Sequence, residues 1–222
     1  MNHEERLLPE ATPRRSKRWS RRDMLKTGAV VGAAGALGLP AIVKQADAAS
    51  PTDTMHDAKV LNGALFYEHQ AIWAYGVAAG KLTNTSVGKA VLAVALANQA
   101  DHKKHRDTLM AVVQQLGEMP VGAQKQYDLS PYLSAGEGAL DSDVNIAKLA
   151  LALETDAAIA YGREIAKLKT PALITAGASI GATEASHATL IRSAFKSLGV
   201  DLAVIPASFV SADTRSAWVL KV

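Results

Sequence analysis

The strongest chemical signal in the sequence is a glutamate and a histidine three residues apart near the C-terminus, Glu184 and His187. On a helix both side chains project from one face, and Ile180, Ile191 and Leu198 make that face apolar. A lone ionised carboxylate that leaves water costs on the order of several kcal/mol, unless it is protonated, hydrogen-bonded or bound to a cation. The pair therefore predicts a buried polar site if other helices bring matching groups.

Two further glutamates interrupt apolar helical stripes in the same way. Glu68 and Glu154 each stand near the middle of a predicted helix, as Glu184 does. Three carboxylates at similar depth repel one another strongly in a low dielectric, so a divalent cation or protons must balance them. His102 lies on the apolar stripe of the remaining helix, and His105 follows one turn later. The predicted metal ligands are Glu68, His102, Glu154, Glu184 and His187, with His105 as an additional ligand.

The same residues leave a second interpretation open, in which they form a metal-free, hydrogen-bonded polar core. His105 also has neighbours, Lys103 and Arg106 among them, that are typical of a solvated basic face. Tyr75 and Tyr161 are interpreted as core aromatics. The sequence contains no cysteine, so a metal ion here would be held by His, Asp and Glu, ligands that admit iron, manganese or zinc.

Four helices with apolar residues at three- and four-residue steps would position these side chains. They are predicted at about 55–81, 87–116, 144–168 and 171–198. Ser86 and either Asp141 or Ser142 are predicted N-caps, and Gly117 is a predicted C-cap. No stretch shows the alternation of a strand, so the predicted fold class is all-α, an antiparallel four-helix bundle.

The segments outside the bundle have separate roles. Residues 117–141 are long for a plain loop and predict a crossover between the second and third helices, with a short helical turn. Residues 49–54 are a predicted linker. Residues 199–222 are a predicted tail that Phe209 and Trp218 pin to the bundle, while the segment from Asp213 to Arg215 stays in solvent.

The first 48 residues read as a leader. They carry a net charge of +4, which leaves −1 for the rest of the chain, so the overall +3 gives no argument for nucleic-acid binding. A charged segment precedes a Gly- and Ala-rich apolar run that is too short for a comfortable membrane span, and a small-residue cleavage site follows, with removal predicted after Ala48. The run from Ser20 to Lys26, Ser-Arg-Arg-Asp-Met-Leu-Lys, resembles a twin-arginine export signal.

That resemblance implies that the twin-arginine export machinery is a partner and that the folded protein reaches the periplasm or is secreted, with no membrane segment in the mature form. The chain from 58 to 198 also resembles exported ferritin-like proteins. It has a Tyr-Glu-His first helix at residues 67–69, an Ala-Tyr-Gly at residues 74–76 and a His-rich second helix that ends in Arg106-Asp107.

The ligand pattern resembles that of the ferritin-like di-iron carboxylate bundles, which take Glu from helices one and three and Glu-x-x-His from helices two and four. The resemblance implies ligand roles for Glu68, His102, Glu154, Glu184 and His187. It departs from the family at Gln99, which stands three residues before His102 where a bridging glutamate is expected.

Two functions are therefore expected as alternatives. The first is iron-dependent redox or oxidative-stress chemistry at the bundle centre, as in a ferroxidase- or peroxidase-like oxidoreductase. The second is a metal-free ferritin-like scaffold or interaction protein of the periplasm. A homodimer is a further expectation, since one face of such a bundle often stays apolar.

Overall fold

The structure is a computed structural model, and it describes residues 50–222. Four long helices dominate it, and two short ones lie in the crossover and the tail. They are α1 (Pro51–Ala79), α2 (Ser86–Gln115), α3 (Ser130–Ser134), α4 (Asp143–Ile165), α5 (Pro171–Ser197) and α6 (Arg215–Trp218). Among these residues there is no strand, so the predicted all-α four-helix arrangement is confirmed. The predicted leader and its cleavage after Ala48 lie outside the described residues.

Side-chain caps set several of the helix starts. Ser142 Oγ accepts a hydrogen bond from the amide of Asn145 at 3.2 Å, as predicted for the start of α4. The cap of α2 is Thr85 and not Ser86. The predicted linker 49–54 was wrong for residues 51–54, because Ser50 caps the helix and Pro51 begins it, at a position where a missing N–H costs nothing.

The long helices form two close antiparallel pairs, α1 with α2 and α4 with α5, each joined by a short connection. One apolar cluster, built around Leu65, Val113 and Leu173, fills one end of the bundle. A second cluster, built around Leu151, Ala188 and Phe195, fills the part where the tail packs. In the described part of the chain no helix is long and apolar enough to cross a membrane.

The crossover from α2 to α4 lies along the outer face of α1. The side chain of Asn62 bonds the backbone at both Met119 and Val121, and His69 contacts the carbonyl oxygen of Val121 at 3.1 Å. Buried Tyr127 packs against Phe66 and Trp73, so these two rings of α1 lie against the crossover. The predicted short helical turn within the crossover is α3.

The tail packs on α4 and α5 through Trp218, which is 3% exposed. Phe209 was wrongly predicted as a second anchor, because its ring is 74% exposed and only its carbonyl takes part, accepting from the Trp218 indole N–H. Arg215 was wrongly predicted to stay in solvent. Its guanidinium pairs with Glu137 of the crossover and Asp156 of α4, so charge pairing holds the tail where the sequence suggests only polarity.

Candidate metal centre

The six predicted site residues lie together at the middle of the bundle, and all four long helices contribute. They are Glu68 from α1, His102 and His105 from α2, Glu154 from α4, and Glu184 and His187 from α5. Five of them are at most 5% exposed, and the His105 side chain is 13% exposed. Each glutamate sits near the centre of its helix, so the paired helices bring the three carboxylates to the same depth.

His102 occupies the middle of the cluster. Its Nδ1 lies 2.8 Å from Glu68 Oε2, and its Nε2 lies 3.2 Å from Glu154 Oε1 and 3.7 Å from Glu184 Oε2. The ring therefore faces carboxylates on both sides.

The other two histidines take matching places on either side of Glu184. His105 Nδ1 lies 2.9 Å from Glu184 Oε1 and 3.7 Å from Glu68 Oε1. His187 Nδ1 lies 3.2 Å from Glu184 Oε2 and 3.1 Å from Glu154 Oε2. His105 therefore joins the cluster, and the interpretation as part of a basic surface face was wrong for it.

These atoms form two overlapping groups of four possible ligands, in each of which the ligand atoms lie within 4.8 Å of one another. One group is Glu68, His102, His105 and Glu184, and the other is His102, Glu154, Glu184 and His187. His102 and Glu184 belong to both groups. The cluster thus offers two adjacent positions for a cation, with two shared residues between them.

The pKa values show how the buried charges balance. Burial acts to raise the pKa of Glu68, but the hydrogen bond with His102 and the positive charge of His102 and His105 outweigh it and lower that pKa to about 2. Burial acts to lower the pKa of His105 and of His187, yet the neighbouring carboxylates raise them to about 9 and about 10. Glu184 is the exception, since burial raises its pKa and the charge of Glu154 adds to that effect.

Two buried tyrosines bind the carboxylates across the bundle. Tyr75 of α1 donates to Glu154 of α4, and Tyr161 of α4 donates to Glu68 of α1. Asn98 Nδ2 donates in turn to the Tyr75 hydroxyl at 3.0 Å. The interpretation of both tyrosines as plain core aromatics missed this role. The available signal was their position, because each stands seven residues, or two helical turns, after a site glutamate.

Comparison with known proteins agrees with this geometry. The ferritin-like domain family matches residues 56–197. The chain belongs to that family. A twin-arginine translocation pathway signal sequence matches residues 20–38, so this ferritin-like protein carries a signal for export by the twin-arginine pathway, as predicted.

A conserved hypothetical protein from Mycobacterium tuberculosis, known from its crystal structure, shares the fold of this ferritin-like protein. Its TM-score is 0.56 at 20% sequence identity, over 68% of this chain and 98% of that one. No curated protein matches the chain.

The two halves of this ferritin-like protein repeat one arrangement. Glu68 and Tyr75 on α1 correspond to Glu154 and Tyr161 on α4, with the same spacing. On the partner helices, His102-x-x-His105 of α2 corresponds to Glu184-x-x-His187 of α5. By this correspondence His105 is the counterpart of His187, and His102 is the counterpart of Glu184. Glu184 is the residue of the second half that belongs to both candidate cation positions.

Gln99 does not occupy the bridging position that the sequence assigned to it. Its amide donates to the carbonyl of Ile72 on α1 at 2.9 Å and accepts from Lys103, so it faces away from the cluster. Asp101, the residue before His102, reaches the cluster from outside, with its Oδ2 3.4 Å from His187 Nε2. The turn of about 100° per residue that takes Asp101 away from the ring of His102 brings it towards α5.

Proposed function

We propose that this exported ferritin-like protein binds transition-metal ions at the bundle centre, one at each of the two overlapping positions. Glu68 and His105 would hold one ion, and Glu154 and His187 the other. Glu184, with its two carboxylate oxygens, would serve both, whereas His102 as a neutral imidazole has one lone pair and would bind one of the two ions through one ring nitrogen. Iron is the ion we expect, and when bound it supplies one-electron redox chemistry with dioxygen or peroxide; the same His and Glu donors also suit manganese and zinc.

The observation that carries this proposal is a pair of buried atoms without hydrogen-bond partners, His105 Nδ1 and Glu184 Oε1. They lie 2.9 Å apart but are not aligned for a hydrogen bond. Two donors that bind one ion at about 2.0–2.2 Å each and at right angles stand about 3 Å apart. A cation between them would satisfy both atoms, whose burial is otherwise costly.

The chain's own residues would give the site its rigidity. Tyr75 and Tyr161 orient the carboxylates of Glu154 and Glu68, and Asp101 holds the outer nitrogen of His187. Such outer hydrogen bonds fix the ring and carboxylate orientations in metal sites. Export in the folded state suits a protein that takes up its metal before it leaves the cytoplasm.

The metal-free scaffold remains the second candidate, and the same structure contains an observation that favours it. Each carboxylate already lies against an imidazole, with Glu68 beside His102, Glu154 beside His187 and Glu184 beside His105. Protonated histidines can thus balance the carboxylates without a metal ion. A homodimer belongs to either candidate, supported by Leu96 on α2 and Leu190 on α5, which are 53% and 45% exposed.

Metal stoichiometry separates the two candidates. The exported protein, purified from its host, is loaded with Fe(II), Mn(II) or Zn(II), and bound metal is measured by elemental analysis. We expect two equivalents in the wild type, one in Glu154→Gln and none in Glu184→Gln, because only Glu184 serves both positions. Glu118→Gln, an exposed glutamate, is the matched control and should bind as the wild type does. If the wild type binds no stoichiometric metal, the metal proposal is wrong and the metal-free scaffold is the better candidate.

A further inference from the structure

A cleft runs between α1 and α4 and reaches the centre of the bundle. These two helices belong to different close pairs, and the cleft between them has a volume of about 340 Å³. A second, smaller cavity of about 30 Å³ lies along the same seam beside Glu68 and Tyr161. Both cavities have His102 in their walls, and the larger one also has Glu154 and Tyr75. Either cavity therefore ends on side chains of the candidate metal centre.

Alanines on the two facing helices keep the cleft open. The wall contains Ala71, Ala74 and Ala78 from α1 and Ala150, Ala157 and Ala160 from α4. A larger side chain at any of these positions would enter the cleft, since side chains on facing helices normally interdigitate without voids of this size. Exposed Tyr67 and Arg163 stand at its rim.

The walls indicate which kind of molecule fits. Small-molecule sites have volumes of roughly 300–1,000 Å³ and mostly apolar walls, and a cavity of about 150 Å³ is enough for benzene. The polar groups at the inner end already have partners within the protein: Tyr75 bonds Glu154 and Asn98, and His102 bonds Glu68 and Glu154. The charged residues nearer the outside are Asp156, which already pairs with Arg215, and Arg163 at the exposed rim. A charged ligand would therefore find no free group to pair with at the inner end.

We propose that the cleft binds a small, uncharged, apolar organic molecule of one or two rings, placed against the Glu154 and His102 side of the metal centre. The ligand class follows from the cleft alone, and its place beside a metal ion rests on the proposed function. Such a molecule would exclude water from that side of the centre and would lie where a bound metal ion could act on it.

The test uses three probes with one ring size and different charge: toluene, benzoate and benzylamine. Binding to the full exported protein, with zinc and without it, is measured by ligand-observed NMR and by the shift in the thermal unfolding midpoint. We expect toluene to bind and to raise the midpoint, and the two charged probes to do neither. Equal or tighter binding of benzoate or benzylamine would overturn the assignment of an uncharged ligand.

Two variants locate the binding. Ala157→Phe fills the cleft, and we expect it to weaken toluene binding by at least about tenfold, because a close-packed wall cannot move aside. Ala71→Leu fills it from the opposite helix and serves if the first variant folds poorly. Ala97→Phe, on the exposed face of α2, is the control and should bind toluene as the wild type does. Unchanged binding in both filled variants would refute the cleft as the site.

Parallel measurements separate this proposal from the metal proposal. Toluene binding in a protein that takes up no metal would support the cleft as a ligand site and contradict the metal proposal. Metal uptake without toluene binding would do the reverse.

If both bind, toluene should change the visible spectrum of the cobalt-substituted protein, and an unchanged spectrum would contradict the placement beside the metal. A dimer that Ala157→Phe converts to monomer, with no toluene effect in the wild type, would identify the cleft as a subunit interface and overturn the proposal.

Discussion

At the scale of single residues, the position of His102 decides the character of the centre. It stands where the opposite half of the bundle has Glu184, within 4 Å of all three glutamates. An imidazole there replaces a negatively charged ligand by a neutral one, or by a cation when it is protonated. The centre therefore has three carboxylates where a fourth could stand, and this lowers its attraction for two cations at once.

The substitution His102→Glu should consequently strengthen metal binding. We expect it to retain two equivalents of Fe(II) or Zn(II) and to bind them more tightly than the wild type, as measured by competition with a chelator. Gln99→Glu is the matched control, because Gln99 faces the backbone of α1. If Gln99→Glu binds metal more tightly than the wild type and His102→Glu does not, residue 99 and not residue 102 faces the centre. That result would support the register that the sequence suggested and contradict the one in the structure.

The buried tyrosines give a second prediction at this scale. Tyr75→Phe removes the hydrogen bond to Glu154, and a hydrogen bond to a charged group is worth about 1.5–3 kcal/mol. We expect the metal-free variant to lose stability of that order in urea unfolding. Tyr67→Phe, whose ring is 51% exposed, should change the stability by less than about 0.5 kcal/mol. Equal effects in the two variants would mean that the bond to Glu154 contributes nothing.

The sequence predicted which residues meet at the centre but not their register, and the reason is geometric. Asn98 and Gln99 precede His102 by four and three residues, so either could share its face of α2. A small rotation of the helix decides which of the two points inward. Apolar spacing fixes that rotation only roughly. In the structure Asn98 is the buried residue, and Gln99 bonds the backbone of α1 instead.

At the scale of elements, the four long helices could be predicted because each has a continuous apolar stripe. The tail could not, since its docking depends on partners far away in the sequence. Arg192, only 3% exposed, donates to the carbonyls of Ala203 and Trp218, and Arg215 pairs with Glu137. No local pattern predicts such contacts, whereas an aromatic residue such as Phe209 suggests burial that the structure does not show.

The contact between the tail and the crossover should depend on pH. Hydrogen bonds from Arg215, opposed by partial burial, lower the pKa of Glu137 from 4.5 to about 2. Because the pKa is lower in the folded state, Glu137 contributes stability above pH 4.5, and this contribution is lost as the pH falls from 4.5 towards 2. We expect Glu137→Gln to reduce the free energy of unfolding at pH 7 and to flatten its decline over this range.

Urea unfolding at a series of pH values measures this effect. Glu118→Gln is the control, because Glu118 is exposed, and its stability profile should follow that of the wild type. A Glu137→Gln profile parallel to the wild type would show that the pairing with Arg215 contributes no stability that acid removes.

At the scale of the whole molecule, the centre joins the two close helix pairs, which share the apolar cluster at one end of the bundle and are separated by the cleft between α1 and α4. One candidate cation position would take Glu68 and His105 from α1 and α2, the other would take Glu154 and His187 from α4 and α5, and Glu184 and His102 belong to both groups. A bound ion would therefore add a link between the two pairs to the one that the shared apolar cluster makes. Because an ion binds this assembled site and not the unfolded chain, metal binding should stabilise the entire bundle.

We expect the thermal unfolding midpoint to rise with metal concentration, by an amount equivalent to about 2.7 kcal/mol for each bound ion when free metal reaches about 100 times its dissociation constant. A chelator should reverse the rise. Glu184→Gln should abolish it, because this change removes a ligand from both positions, whereas Glu118→Gln should leave it intact. If Glu184→Gln instead keeps the full metal-dependent rise, the ion binds elsewhere on the molecule.

The metal-free proteins can be compared in the same way. Burial raises the pKa of Glu184, which means that its buried carboxylate costs stability until a cation binds. A metal-free Glu184→Gln protein that is more stable than the metal-free wild type would fit such a centre.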